Sequence, residues 1–227
     1  MKERIETEPH SLTNNKSVGI EFGHERFFSI PDLGQSSAAM NFPFTKYSAA
    51  VSVSSLCLDS VYSDVVISPA FAMKVKRFNW GVSSKLALKD AGGEPFFENS
   101  ISISAALDIS NDWQLYAAPP SIEFETEIIY LRSEWTAGAN IRYQPLAMVI
   151  GAAIYQNVNE VYGLRISQYW RAGSMIAFYG SFESDPLKIS LGFSCFYRRL
   201  SAGVKFDRYP SIGSVQHYYT GYGSTTP

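Results

Sequence analysis

The stretch "SIEFETEIIY" holds the clearest row of chemically capable side chains in the sequence. Glu123, Glu125 and Glu127 fall at every second place, with Ile122, Phe124, Thr126 and Ile128 on the other face. On an extended strand such carboxylates follow one another at about 6.6 Å along a single face. In a water-filled lumen a row of this kind sets cation preference, as acidic rings do in channels. The plainer reading, a hydrated wall or sheet surface balanced by Arg142 or Lys85 across strands, is preferred. Other chemistry is thin. His10, His24 and His217 stand at no metal-ligand spacing from one another, from a Cys or from a carboxylate. No GxSxG, GxGxxG or P-loop occurs, and no serine comes with a base that spacing would assign to it. No catalysis, cofactor or metal is therefore expected, and a His–Ser–Asp set converging only in space is left for the structure to decide. Cys57 and Cys195 sit in alternating apolar runs and are expected as small buried hydrophobes.

The elements that must position these residues read as strands almost throughout. Period-2 alternation places them at Val18–Phe28, Gln35–Phe44, Ser48–Leu58, Asp64–Arg77, Asn79–Lys89 and Asn99–Ser110, then more weakly at Trp113–Ala118. They continue at Ser121–Leu131, Trp135–Gln144, Leu146–Gln156, Val161–Trp170, Met175–Glu183, Leu187–Arg198 and Leu200–Tyr209. Soluble strands run mostly about five to six residues, whereas these run about nine to thirteen, the length of a tilted transmembrane strand. The expected fold is all-β: an antiparallel transmembrane-type β-barrel of about 12–14 strands. The competing fold is a soluble all-β binding module, lectin-like or sandwich-like, with its aromatics buried between sheets. Short links ("RFN", "RSE", "QP", "RR") contrast with longer ones ("LDSVYS", "DAGGEPFFE", "NVNE"), although "WRAGS" and "SDP" put two short links in succession.

Two strand faces carry the membrane reading. Trp135, Ala137, Ala139, Ile141 and Tyr143 form one; Tyr162, Leu164, Ile166, Gln168 and Trp170 form the other. Each begins and ends on Trp or Tyr eight places apart, about 26 Å along a strand and about 20 Å once tilted. That approaches the apolar band of about 25 Å between the aromatic girdles of outer-membrane barrels, so Trp135, Tyr143, Tyr162 and Trp170 are expected in a lipid-facing girdle. Ile189, Leu191 and Phe193 join the lipid-facing set. The opposite faces, such as Thr136, Gly138, Asn140 and Arg142, are small and polar.

Bulk properties agree. Of 227 residues, 46% are hydrophobic and only 18% charged, and the net charge of -2 gives no case for nucleic acid. The longest helix-competent apolar stretch, "PLAMVIGAAIYQNV", is too short for a transmembrane helix. The organisation expected is a polar segment over 1–16, one barrel domain over 17–223 and a tail over 224–227. The first residues, "MKERIETEPHSLTNNKS", lack the apolar core and cleavage site of a secretory signal. Beside a barrel of outer-membrane type, that start is expected to be truncated.

Four segments, taken in order, bring a family into view: "NFPFTKYSAAVSVSSLCLDSVYSD", "AFAMKVKRFNWGVSSKLAL", "SISAALDISNDWQLYAA" and "FSCFYRRLSAGVKFDRYPSIGSVQHYYTGYG". The chain resembles the PorV-like outer-membrane barrels, relatives of the FadL-type fatty-acid transporters, from about Ser17 to Gly223. Where the family closes on a His-Pro pair, this chain has Tyr209-Pro210. The family's signal peptide and lumen-filling segment have no counterpart apart from an echo in "EPHSL". The resemblance implies an outer-membrane protein with a transport or secretion-accessory role. Its partners would be outer-membrane lipid and secretion machinery or cargo protein, with no nucleic acid and no cofactor. On this view the closing element is the hairpin Leu187–Ser214, turned at Arg198-Arg199.

Overall fold

Alternation of apolar and small polar residues over nine or more places makes both faces of an extended chain useful at once, and the sequence folds accordingly. The computed structural model describes residues 8–14, 17–28, 30, 33–58, 62–91, 94–125, 128–131, 134–156, 161–210 and 212–223, without the side chains of 91, 94, 125 and 128–131. In chain order the strands are β1 (Gly19–Phe27), β2 (Gly34–Pro43), β3 (Tyr47–Leu58), β4 (Tyr62–Val75), β5 (Phe78–Ala91), β6 (Glu94–Asp108), β7 (Trp113–Ala118) and β8 (Ile122–Glu125). They continue as β9 (Ile128–Leu131), β10 (Trp135–Tyr143), β11 (Met148–Gln156), β12 (Tyr162–Ala172), β13 (Ile176–Ser184), β14 (Leu187–Tyr197), β15 (Leu200–Tyr209) and β16 (Gly213–Tyr222).

Neighbours in sequence pair antiparallel, and β1 pairs β16 with Ile20 opposite Tyr222, so the sheet closes on itself. β7 and β8 lie end to end against the same strand, β6, and are one wall strand interrupted at Pro119-Pro120. Proline supplies no N–H to a ladder, so the pair breaks the strand where it falls. β9 and β10 face β8 and β7 in the same way. The result is a closed antiparallel barrel of 14 wall strands. Pairing of the first strand with the last removes the open edges that a flat sheet would leave there.

Side chains sort by face in an order opposite to that of a water-soluble protein. Buried inside are Asn41, Ser48, Ser52, Ser68, Asn79 and Ser104, while Phe71, Leu86, Ile103, Ile154, Leu164 and Leu191 point outward and are exposed. The soluble sandwich is thereby set aside, since there is no second sheet against which those apolar faces could be buried.

Several expectations need correction. Ser121–Leu131 holds two antiparallel strands, β8 and β9, instead of one. β16 lies beyond the last strand expected, because Gln216, Tyr218 and Thr220 on one face and His217 and Tyr219 on the other mask the alternation. Consequently the barrel closes at β1–β16, and β14–β15 is an interior hairpin. "DAGGEPFFE" is mostly strand, with β5 running to Ala91 and β6 starting at Glu94. Cys57 and Cys195 are free and exposed, because both fall on the outer face.

One rim carries both ends of the barrel, at Gly19 and Tyr222, and the connections at 44–46, 76–77, 109–112, 144–147, 173–175 and 198–199. It is called the terminal rim below, and its opposite the far rim. "RR" and "WRAGS" turn at the terminal rim and "SDP" at the far rim, so the two successive short links belong to opposite ends.

Candidate functional site

The lumen has two unlike halves. Along β2–β6 the inward residues are small: Ala39, Ala50, Ser52, Ser68, Ala70 and Ala72 are all buried. Into this smooth wall fits a 3₁₀ turn formed by Pro9–Asn14, part of the segment expected to be merely polar. Leu12 is fully buried among Ala39, Ala50, Ala70 and Ala72. A Cβ on Gly81 would lie 2.5 Å from the His10 nitrogen, so glycine is what lets the turn approach β5. The echo noted in "EPHSL" is thus a plug lying inside the barrel, correcting the expectation that the chain lacks one.

His10 fixes the plug. Its main-chain N–H donates to Ser104 Oγ at 3.0 Å, and its Nδ1 lies 2.9 Å from the same oxygen. The Ser104 hydroxyl can donate to Nδ1 of a neutral imidazole whose proton sits on Nε2, while accepting from the main-chain N–H. The His10 ring stacks on Tyr116 at 6.1 Å between centroids. Thr13 Oγ1 donates to the His10 carbonyl at 3.0 Å. Burial lowers the His10 pKa from 6.5 to about 4, the nearby Asp108 carboxylate opposing the shift. This is a Ser–His contact, but Ser104 is 0% exposed beneath the plug, leaving no room for a substrate carbonyl. It holds the plug to the wall.

The other half, along β12–β16 and β1, is lined by large polar side chains tied in ion pairs. Glu183 accepts from Arg165 at 3.1 Å and from Lys188 at 2.8 Å. Asp207 lies 3.3 Å from Lys205 and 3.0 Å from His217 Nε2, and His217 Nδ1 faces Glu25 at 3.4 Å. Arg165 also lies over the Tyr155 ring at 5.5 Å, and Lys205 over Tyr179 at 5.7 Å. Several lumen tyrosines stand opposite a glycine on a neighbouring strand: Tyr116 with Gly138, Tyr155 with Gly163, Tyr179 with Gly192 and Tyr219 with Gly203. At Gly163 and Gly203 a Cβ would collide with the ring opposite. Near the terminal rim, Asp108 gathers Lys74 at 2.9 Å, Gln114 at 2.8 Å and Asn79 at 3.3 Å. Among the described residues no cluster of three metal-ligating groups forms.

The acidic row is only partly in view. Glu123 faces the lumen and is 5% exposed. Glu125 pairs through its backbone with Glu98, while its side chain and the whole of Glu127 lie outside the described residues. Arg142 also faces the lumen but at the terminal rim, beyond the length of β7 from Glu123, so the two are not brought together. Lys85 is the nearer cation, since it and Glu123 stand opposite Ser100 from either side.

The four girdle residues point outward at two levels. Trp135 meets Tyr162 edge-on at 6.1 Å between centroids, with Gln156 accepting from the indole N–H at 2.6 Å. Tyr143 and Trp170 flank Met148 at the other level. Sequence reading overlooked a second aromatic run near the terminal rim, in which Phe44, Tyr47, Phe71 and Trp80 follow one another at 4.5, 5.8 and 6.0 Å. Its members come from three strands and a turn, so no single face announces it.

No family model matches the chain, and no curated protein does. Solved structures do. The CymD monoaromatic hydrocarbon channel aligns with a TM-score of 0.62 at 9% identity, over 97% of this chain and 91% of that one. A mutant of the TodX monoaromatic hydrocarbon channel gives 0.61 at 6% identity, over 97% and 92%. A mutant of the Rh. blastica porin gives 0.51 at 9% identity, over 92% and 99%. The likeness is one of fold. This barrel is built like those of outer-membrane channels.

Proposed function

We propose that the chain is a bacterial outer-membrane barrel that passes small solutes passively through its lumen, with no covalent chemistry. The observation that carries this reading is the inverted distribution of side chains: an apolar outer belt ending on aromatics around a polar, ion-paired interior. In water, so large a continuous apolar surface has no cover. In a bilayer it needs none, because closure already pairs the backbone. The terminal rim, with its short turns, would face the periplasm. Purified in detergent and inserted in a planar bilayer, the protein should give discrete conductance steps, larger when the plug is unseated by Gly81→Leu. A detergent-free soluble monomer whose mobility in SDS is unchanged by boiling would overturn the reading.

One observation favours the alternative secretion-accessory role attached to the PorV-like resemblance. The plug occupies the smooth half of the lumen, so the barrel could act through a rim that docks secretion machinery or cargo. That alternative predicts no conductance from the intact chain or from Gly81→Leu.

A further inference from the structure

Charge is distributed unevenly between the two ends of the barrel. Consider the six connections of the terminal rim with the two strand residues on either side of each. Turns 44–46 and 76–77 bring Lys46, Lys74, Lys76 and Arg77; the remaining turns bring Arg142, Arg171, Arg198 and Arg199. Against them stand only Asp108 and Asp112. Of all these cations, Lys74 alone has a carboxylate partner among the described residues. Arg77 donates to the Ile109 carbonyl and Arg171 to that of Ser174, which leaves their charges uncompensated. The same reckoning at the far rim, over described side chains, gives Arg26, Lys188 and Arg208 against Asp90, Glu183 and Asp185.

Two further features sit with the cations. The Phe44–Tyr47–Phe71–Trp80 run and the Trp170, Phe178 and Phe193 rings mark the outer surface just inside this rim. Arg198 lies 5.5 Å over Tyr197, an outward ring, so that its guanidinium stands where the belt ends. Between the β4–β5 and β6–β7 turns opens a recess of about 380 Å³, lined by Lys74, Lys76, Arg77, Asp108, Ser110 and Asn111. It presents three cations and the already engaged Asp108.

We infer that the terminal rim binds anionic phospholipid headgroups, with the recess beside Lys76 and Arg77 as the principal seat for a headgroup phosphate. This rests on the membrane-barrel reading above. A lipid is favoured over an acidic protein because Lys46, Lys76, Arg77, Arg198 and Arg199 lie in the turns themselves, next to the outer aromatic rings at the depth where headgroups lie, whereas Arg142 and Arg171 point toward the lumen mouth. Each basic residue near an anionic surface contributes about 1 kcal/mol, roughly fivefold in affinity.

The test uses the full chain in dodecyl maltoside micelles and fluorescent phosphatidylglycerol, with phosphatidylcholine, inorganic phosphate and polyglutamate as competitors. The chain should prefer phosphatidylglycerol to phosphatidylcholine, and raised salt should weaken binding. Lys76→Gln/Arg77→Gln/Arg198→Gln/Arg199→Gln should lose at least about a hundredfold in affinity, while the far-rim control Arg26→Gln/Arg208→Gln should change little. Should the fourfold variant not fold, the salt series on the native chain decides alone. Equal affinity for phosphatidylcholine, or a flat salt response, overturns the inference. So does competition by free phosphate or polyglutamate at concentrations comparable to the lipid's. A protein that still needs detergent and still shifts on boiling, yet shows no lipid preference, overturns this inference and leaves the barrel reading standing.

Discussion

At the scale of single residues, His10 has the sharpest consequence. Unseated in water, its imidazole titrates near the ordinary 6.5; seated against Ser104 and Tyr116, it titrates near 4. The seated form therefore binds fewer protons across that interval. Seating is at full strength above about pH 6.5 and weakens as pH falls toward 4, by at most about 3 kcal/mol. Hydrogen exchange at residues 9–14, corrected for its intrinsic pH dependence, should rise through this window in the native chain. In His10→Gln the rise should flatten. Gly81→Leu attacks the same contact by bulk, since even its Cβ meets the His10 nitrogen at 2.5 Å. It should expose the plug at every pH while leaving the wall strands protected. None of this was legible beforehand. The segment around His10 has no apolar period, and Ser104, its partner, is 94 residues away. For Glu123 the sequence made legible only that it lies on the face opposite Ile122 and Phe124; that this face is the lumen wall follows from the closed barrel.

Strands answer to different rules on their two faces. Ile166 points outward midway between the girdle levels, so Ile166→Lys should cost about 2–4 kcal/mol in urea unfolding from lipid vesicles. Ser167, its lumen neighbour, should accept Lys for well under half of that cost. The tyrosine–glycine pairs are a second device of this scale. Gly163→Val would drive a side chain into the Tyr155 ring, and overpacking of this kind costs about 1–3 kcal/mol. Adding Tyr155→Ala should recover part of the loss in the same unfolding measurement. Long alternating runs such as Ile189 to Tyr197 were readable because both faces are chemically distinct. β16 was not, because tyrosine and threonine serve either face. β8 and β9 were fused into one strand because the sequence joining them carries no glycine or proline, whereas the true interruption at Pro119-Pro120 looked like an ordinary boundary.

For the whole molecule, closure between β1 and β16 is the property on which stability depends. Removing β16 would leave the outer strands β1 and β15 with unpaired ladders. A chain ending at Tyr209 should therefore lose the mobility shift on boiling in SDS that the intact barrel shows, and should aggregate instead of inserting in lipid. The number of wall strands was foreseen from strand length and spacing, but partly through compensation: three strands were read over residues 113–144, where there are two wall strands, and one was omitted at the end. What sequence could not convey was anything that depends on which strands face each other across the lumen. The cations of the terminal rim lie scattered from Lys46 to Arg199 and become a group only when the turns are gathered into a ring. The plug, likewise, acquires a seat only when the small residues of β2–β6 are curved around it.

That seat is off centre. With the turn held against β2–β6, a solute admitted to the lumen would pass nearer the ion-paired wall of β12–β16 than the wall that seats the plug. Along that wall stand Arg165, Glu183, Lys188, Lys205 and Asp207. Fixed charges gathered on one wall would orient a dipolar solute as it passed, because the wall opposite is lined by small uncharged residues.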